Sequence, residues 1–293
     1  MNVNSLTLPS PAKLNLFLHI VGRRENGYHE LETVFQFLDV GDELTFTLTN
    51  NNQITLTTQF ANVASEDNLI VKAAKVLLPY KQTDLGVDIA IDKVLPMGGG
   101  LGGGSTNAAT TLLALNKLWQ LGLSIEKLAE LGLKLGADVP IFVHGFAAFA
   151  QGVGEVLTPV EPTEYFYLVS KPDVSISTQA VFTDPDLVRD TAKINPDQMV
   201  IENFHNDCQN LVIKRYPEVA KLLAWLVEYA PSQMTGTGAC IFSRFDSREQ
   251  AEKVQELLPE NITSFVAKGV NQSPLHQAPV SYTHLTLPTN REV

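Results

Sequence analysis

The chain lacks most features that would have classified it at once. Two cysteines, Cys208 and Cys240, in 293 residues are too few for the disulfide framework of a small secreted domain. Basic residues are also scarce: 21 Lys and Arg against 32 Asp and Glu leave a formal net charge of −11. That balance disfavours a general nucleic-acid or anionic-membrane surface, so an anionic ligand has to be met by local features. No apolar run reaches the roughly 18 residues of a membrane helix. Met1 to Ser5 has neither the cationic start nor the apolar core of a secretory signal. The six histidines are dispersed, without the spacing of a metal site. A cytoplasmic protein with neither nucleic-acid nor membrane partner is expected. The length, with 44% hydrophobic and 18% charged residues, suits one large domain or two moderate ones around an ample core.

What is present is a concentration of glycine. Pro96, Met97, Gly98, Gly99, Gly100, Leu101, Gly102, Gly103, Gly104, Ser105 and Thr106 follow an alternating, strand-like run from Val87 to Ile91. A backbone without β-carbons wraps an anion with its own N–H groups. A helix start adds roughly half a positive charge and unpaired donors at the same point. A flexible linker would lack flanking periodicity, whereas Ala108, Leu112, Leu115 and Trp119 share one helical face. A polyphosphate ligand is expected.

The kind of loop is narrowed by elimination. No lysine lies between Pro96 and Asn116, so the Walker A pattern fails. Gly98, Gly100 and Gly103 match G-x-G-x-x-G, but the expected second strand is replaced by a helical stretch, Ser124 to Leu135. Neither His-Arg-Asp nor Asp-Phe-Gly occurs, which excludes a protein kinase. Ser105 and Thr106 stand at the helix start, open to capping the helix, binding phosphate or, for Ser105, holding Mg²⁺.

Elsewhere, Lys13 to Ile20 alternates, with Leu14, Leu16, Leu18 and Ile20 on one face and Lys13, Asn15, Phe17 and His19 on the other. This reads either as a half-exposed strand or as a lysine–asparagine pair addressing one ligand. Gly27-Tyr28-His29 sits at a turn, followed by strand regions at Leu31 to Leu38 and Glu43 to Leu48 and a helix near Asn68 to Leu78. Gly136 has the position of a helix C-cap, and Asp138 precedes the apolar run Val139 to Val143. Such an aspartate is either a turn former or a group at the edge of a pocket. A composition shift from Leu157 to Pro162 marks a domain boundary. Beyond it lie a strand at Tyr165 to Val169, a helix at Pro217 to Tyr229 and a second glycine turn, Met234 to Phe242, running into a strand. A helix at Arg248 to Leu258 and a strand at Ser264 to Val270 complete an α+β pattern.

Five segments in this order, Pro11-Ala12-Lys13-Leu14-Asn15-Leu16, Gly27-Tyr28-His29, the Pro96 to Thr106 loop, Leu135-Gly136-Ala137-Asp138-Val139-Pro140 and Thr235-Gly236-Thr237-Gly238-Ala239, resemble the GHMP-type small-molecule kinases. The resemblance runs from about Ser10 to His276 and is strongest to the branch acting on a cytidine diphosphate-linked methylerythritol in the non-mevalonate isoprenoid pathway. It implies a two-lobed α+β fold with the active site in the cleft between an N-terminal domain, 1–158, and a C-terminal domain, 159–278. It implies ATP as co-substrate with Mg²⁺, the glycine loop on the ATP phosphates, Asp138 as catalytic base and Lys13 beside it. Asn15, Tyr28, His29, Thr178 and Phe182 then match positions lining the cytidine pocket, with Tyr28 and Phe182 packing on the pyrimidine and His29 bonding its edge. Gln179 follows Thr178 where that family usually has proline. The tail 279–293 matches nothing in the family and is assigned no function. A monomer or weak homodimer is expected. Kept beside this reading are a sister kinase acting on homoserine, mevalonate or a sugar, and a non-catalytic binding protein on the same fold.

Overall fold

The computed structural model describes residues 4–25, 27–60, 64–196, 199–201 and 204–278; the tail beginning at Pro279 lies outside them. Two long antiparallel strands, β1 (Ser5–Arg23) and β2 (His29–Thr49), open the fold. There follow β3 (Ile54–Leu56), α1 (Leu69–Val76), β4 (Gly86–Asp92), α2 (Gly103–Leu118), α3 (Ile125–Leu133) and α4 (Val139–His144). A hairpin of β5 (Ala148–Gly152) and β6 (Val156–Pro159) leads through 160–165 to β7 (Phe166–Lys171). The remainder is α5 (Thr178–Thr183), α6 (Asp207–Arg215), α7 (Pro217–Leu226), β8 (Ser232–Met234), β9 (Ile241–Phe245), α8 (Arg248–Gln255), β10 (Thr263–Val270) and α9 (Pro274–Gln277). Among the described residues no helix is long and apolar enough to cross a membrane.

The strands form one mixed sheet in the order β3-β4-β2-β10-β7-β9-β8, with β1 and β5 also on β2. Its two halves meet where Gly269 and Val270 pair with Leu38 and Phe37. One core packs α1 to α4 on β2 and β4, around Phe37, Phe46, Val87, Leu112, Leu115 and Phe142. A second gathers Leu168, Val212, Leu226, Ile241 and Ala251, and it also takes in Leu18 and Ile20 from β1. A third, with Leu14, Phe17, Leu38, Tyr167 and Phe242, joins the two.

Local signals account for most helices. Asn68 and Ser124 cap α1 and α3 by accepting from Ile70 and Lys127 N–H groups. Three expectations need correction. The strand regions Leu31–Leu38 and Glu43–Leu48 are one strand, because Asp42 accepts from the Val94 and Leu95 amides at 2.9 and 2.8 Å instead of turning the chain. β1 is not half-exposed: Lys13, Asn15, Phe17 and His19 are as buried as the leucines opposite them. Gly136 is not a left-handed C-cap; the cap of α3 is Lys134. The hairpin of β5 and β6, absent from the sequence reading, turns through Gly152-Val153-Gly154, with both glycines at positive φ.

Candidate active site

The glycine loop is folded by its own composition and by what lies against it. Gly98, Gly100 and Gly102 take φ of 66°, 77° and 75°, a region that β-carbons disfavour. A Cβ on Gly99 would stand 2.4 Å from Cys240 Sγ, and one on Gly100 would stand 2.4 Å from the Thr235 carbonyl oxygen. The close partner is the second glycine turn: Ala239 and Cys240 N–H groups donate to Gly98 and Gly99 carbonyls at 3.3 and 3.2 Å. Asn206 braces that turn, its amide donating to the Met234 and Gly236 carbonyls at 2.8 Å each.

The loop ends at the N-terminus of α2, where the cap is Gly102 and no side chain accepts from the first-turn amides. Capping by Ser105 or Thr106 is therefore corrected. Ser105 stands in the first turn, and Thr106 is buried with its hydroxyl accepting from Ser10 at 3.2 Å. The first turn holds no acidic residue, so the positive end of a 16-residue helix is uncompensated by its own chain. Lys93 adds a cation there: its ammonium is held by the Asp42 carboxylate at 3.0 Å and lies near Gly103. Sequence reasoning passed over Lys93, because it precedes the loop where Walker patterns place no lysine.

Beside the loop sits an ion pair with one buried partner, Lys13. Lys13 Nζ lies 3.2 Å from Asp138 Oδ2 and donates to Asn15 Oδ1 at 2.5 Å and the Gly100 carbonyl at 3.0 Å. Asp138 is the N-cap of α4 yet caps nothing. Pro140 at the second helical position has no N–H to offer, and the carboxylate turns to Lys13 with 34% of its side chain exposed. Asn15 is locked from both ends, Nδ2 donating to Thr33 Oγ1 at 2.9 Å and its backbone N–H to Thr235 Oγ1 at 2.9 Å. The chemical potential is clear: main-chain amides and a helix end to receive an anion, with a half-exposed carboxylate to receive a proton.

The remaining expected residues form a second group. Thr178, at the start of α5, shares a 3.0 Å hydrogen bond with Thr237 of the second glycine turn. One turn along α5, Phe182 stacks on His29 with ring centroids 5.1 Å apart and planes 25° apart. Tyr28 beside it is 62% exposed. Arg189, absent from the sequence reading, donates from Nε to His29 Nε2 at 3.0 Å. Nothing in its sequence surroundings marks it, since its other partners are the carbonyls of Phe182, Asp184 and Leu187. A cavity of about 330 Å³ lined by Tyr165, Phe204, Gln233, Phe242 and Arg244 also takes in Leu16, the strand neighbour of Asn15. It does not include the ion pair or the glycine loop.

Comparison with known proteins identifies the family. Residues 68–146 fit the GHMP kinases N terminal domain and residues 183–262 the GHMP kinases C terminal. A protein of Colwellia psychrerythraea named 4-diphosphocytidyl-2-C-methyl-D-erythritol kinase is 61% identical over 276 residues, 92% of each chain. One of Vibrio cholerae with the same name is 58% identical over 274 residues, 94% of each. The crystal structure of a 4-(cytidine 5'-diphospho)-2C-methyl-D-erythritol kinase superposes with a TM-score of 0.79 at 28% identity, covering 90% of this chain and 98% of that one. A homoserine kinase structure from Cytophaga hutchinsonii, at 15% identity and a TM-score of 0.62, shares the fold alone. The chain belongs to the GHMP kinases and, within them, to the 4-diphosphocytidyl-2-C-methyl-D-erythritol kinases.

Proposed function

We propose that the protein transfers the γ-phosphoryl group of ATP to the 2-hydroxyl of 4-diphosphocytidyl-2-C-methyl-D-erythritol, a step of the non-mevalonate route to isoprenoid precursors. The observation that carries this reading is the Lys13–Asp138 pair, 3.2 Å apart, with Lys13 also bonded to the Gly100 carbonyl of the glycine loop. A proton acceptor for an alcohol is thereby held against a cradle for phosphate. The working division is an N-terminal domain, 1–158, bearing loop and ion pair, and a C-terminal domain, 159–278, bearing the second glycine turn.

Phosphoryl transfer depends chiefly on alignment and charge neutralisation. The amides of Pro96 to Thr106 and the end of α2 hold the ATP phosphates. The acceptor oxygen attacks the γ-phosphorus, its proton passes to Asp138, and ADP leaves with the electrons of the broken bond. Lys13 keeps the Asp138 carboxylate aimed at the alcohol and meets the charge of the transferring group. Tyr28, His29 and Phe182 take the cytosine ring, and Asn15 and Thr178 line the pocket beside them. The stack of His29 and Phe182 favours a planar base over homoserine or mevalonate, which offer no ring to pack on it, and over a sugar, whose ring is saturated and puckered.

Mg²⁺ fits the donor set only in part. Ser105 Oγ makes no hydrogen bond among the described residues, and no cluster of three carboxylates, imidazoles or thiols with metal-ligand geometry occurs among them. Ser105 would supply one ligand, with ATP phosphate oxygens and retained waters completing the shell of an ion that dehydrates reluctantly; such an ion would help neutralise phosphate charge.

The test is ATP consumption by the purified protein with the cytidine substrate, homoserine, mevalonate and galactose in parallel. Turnover is expected with the first alone. Asp138→Asn should lower it about 10²- to 10⁴-fold with ATP affinity unchanged. Near wild-type turnover in that variant removes Asp138 from the mechanism, and turnover of another acceptor overturns the substrate assignment.

A further inference from the structure

We infer that Arg189 is a positioning residue that fixes the tautomer of His29 and so makes the pocket select a pyrimidine with an unprotonated ring nitrogen, cytosine, over uracil. The inference rests on the reading of His29 and Phe182 as the base-binding pair.

A guanidinium has only donors and keeps its proton at any working pH. A ring nitrogen 3.0 Å from Arg189 Nε therefore accepts, and Nε2 of His29 carries no hydrogen. A neutral imidazole has one N–H, so the hydrogen sits on Nδ1. The ring is held neutral: burial, then the charges of Arg189 and Arg23, depress its pKa below the ordinary 6.5. Nδ1 makes no hydrogen bond among the described residues, which leaves a single donor to offer a ligand.

Arg189 fixes more than the proton. Its Nη2 donates to the Phe182 and Asp184 carbonyls at 3.1 and 2.6 Å, and its Nη1 donates to Leu187 at 2.8 Å. One guanidinium thus ties the hydrogen-bonding ring and its stacking partner, 5.1 Å apart, into a single unit. Cytosine presents an acceptor at its ring N3, where uracil presents N–H. A donor fixed on Nδ1 pairs with the first and opposes the second, and a site built for one hydrogen-bond polarity rejects its opposite more strongly than it rejects a mere size change. A histidine free to exchange tautomers would accept from uracil as readily as it donates to cytosine.

The full-length protein, with a non-hydrolysable ATP analogue present, is titrated calorimetrically with CDP and with UDP. CDP should bind at least about tenfold tighter. Arg189→Leu should narrow that ratio to within about threefold, and Arg189→Lys, which restores a cationic donor, should recover part of it. Nitrogen NMR of wild-type His29 should show Nδ1 protonated and Nε2 bare. It reports without any variant, should Arg189→Leu fail to fold. Equal CDP and UDP affinities, no binding of either, an unchanged ratio in Arg189→Leu, or a wild-type ring protonated at Nε2 would each overturn the inference. CDP preference without turnover of the cytidine substrate would remove the kinase reading and leave this one standing.

Discussion

Lys13 shows what burial demands of a charged side chain. At 2% exposure its ammonium has lost its water, and each of its three hydrogens finds an acceptor: Asn15, Gly100 and Asp138. Removing Asp138 would leave the buried ammonium short of an acceptor, at a cost below the about 3–5 kcal/mol of a fully buried pair, because the carboxylate is 34% exposed and water screens it. Period-two alternation reports one buried face and is silent on whether a second layer covers the other. Spacing alone thus left Lys13 and Asn15 ambiguous, and the family resemblance alone singled them out. His19, on the same face, was equally illegible and is less well provided for. Both its ring nitrogens are buried without partners among the described residues, packed against Phe17, Phe204 and His205. Burial lowers its pKa from the ordinary 6.5 despite the attraction of Asp207 and Glu32. The unfolded chain therefore binds this proton at a higher pH than the folded one. Stability from the neutral ring is complete above about pH 6.5 and is lost as the pH falls through the folded value. His19→Phe should reduce the acid-side slope of stability by up to one proton, about 1.4 kcal/mol per pH unit. His29 and His144, lowered in the same sense, should keep the rest. Urea midpoints between pH 5 and 7 check this.

Among elements, the glycine loop and α2 were the most legible, because composition and periodicity both point there. The sequence could not show why this many glycines are needed, since the reason is a partner more than a hundred residues away. Gly100 and Gly122 separate the two causes. Both have positive φ, 77° and 65°, but a Cβ on Gly122 meets nothing within 4 Å, whereas one on Gly100 meets the Thr235 carbonyl at 2.4 Å. Gly122→Ala should cost only the left-handed penalty, about 1–2 kcal/mol. Gly100→Ala adds an overpacking cost of about 1–3 kcal/mol and should weaken ATP binding, as paired denaturation and nucleotide titrations of the two variants would show. Elements held by distant contacts were the ones missed. The hairpin of β5 and β6 is pinned along β2 by register from Leu31 to Phe35, and α6 is capped by Asn206, which also braces the second glycine turn.

At the scale of the molecule, the chain order of the lobes does not coincide with the division of their cores. Leu18 and Ile20 of β1 belong to the core built mainly from residues beyond Leu168, with Leu31 packed against it. The N-terminal Ile20 N–H also donates to the Asp207 carboxylate at 2.6 Å. A fragment ending at residue 158 would expose those side chains and lose the partner of its glycine loop. It should lack a cooperative thermal transition, in contrast to the whole chain; a sharp calorimetric peak for the fragment alone would contradict this division of the cores.

The seam between Gly98-Gly99 and Ala239-Cys240 also governs recombination. Chimaeras that take their first half from one relative and their second from another join turns of two origins at a contact where a Cβ on Gly99 would stand 2.4 Å from Cys240 Sγ. Breeding libraries from homologous genes should therefore exchange segments 96–106 and 235–240 as a matched set.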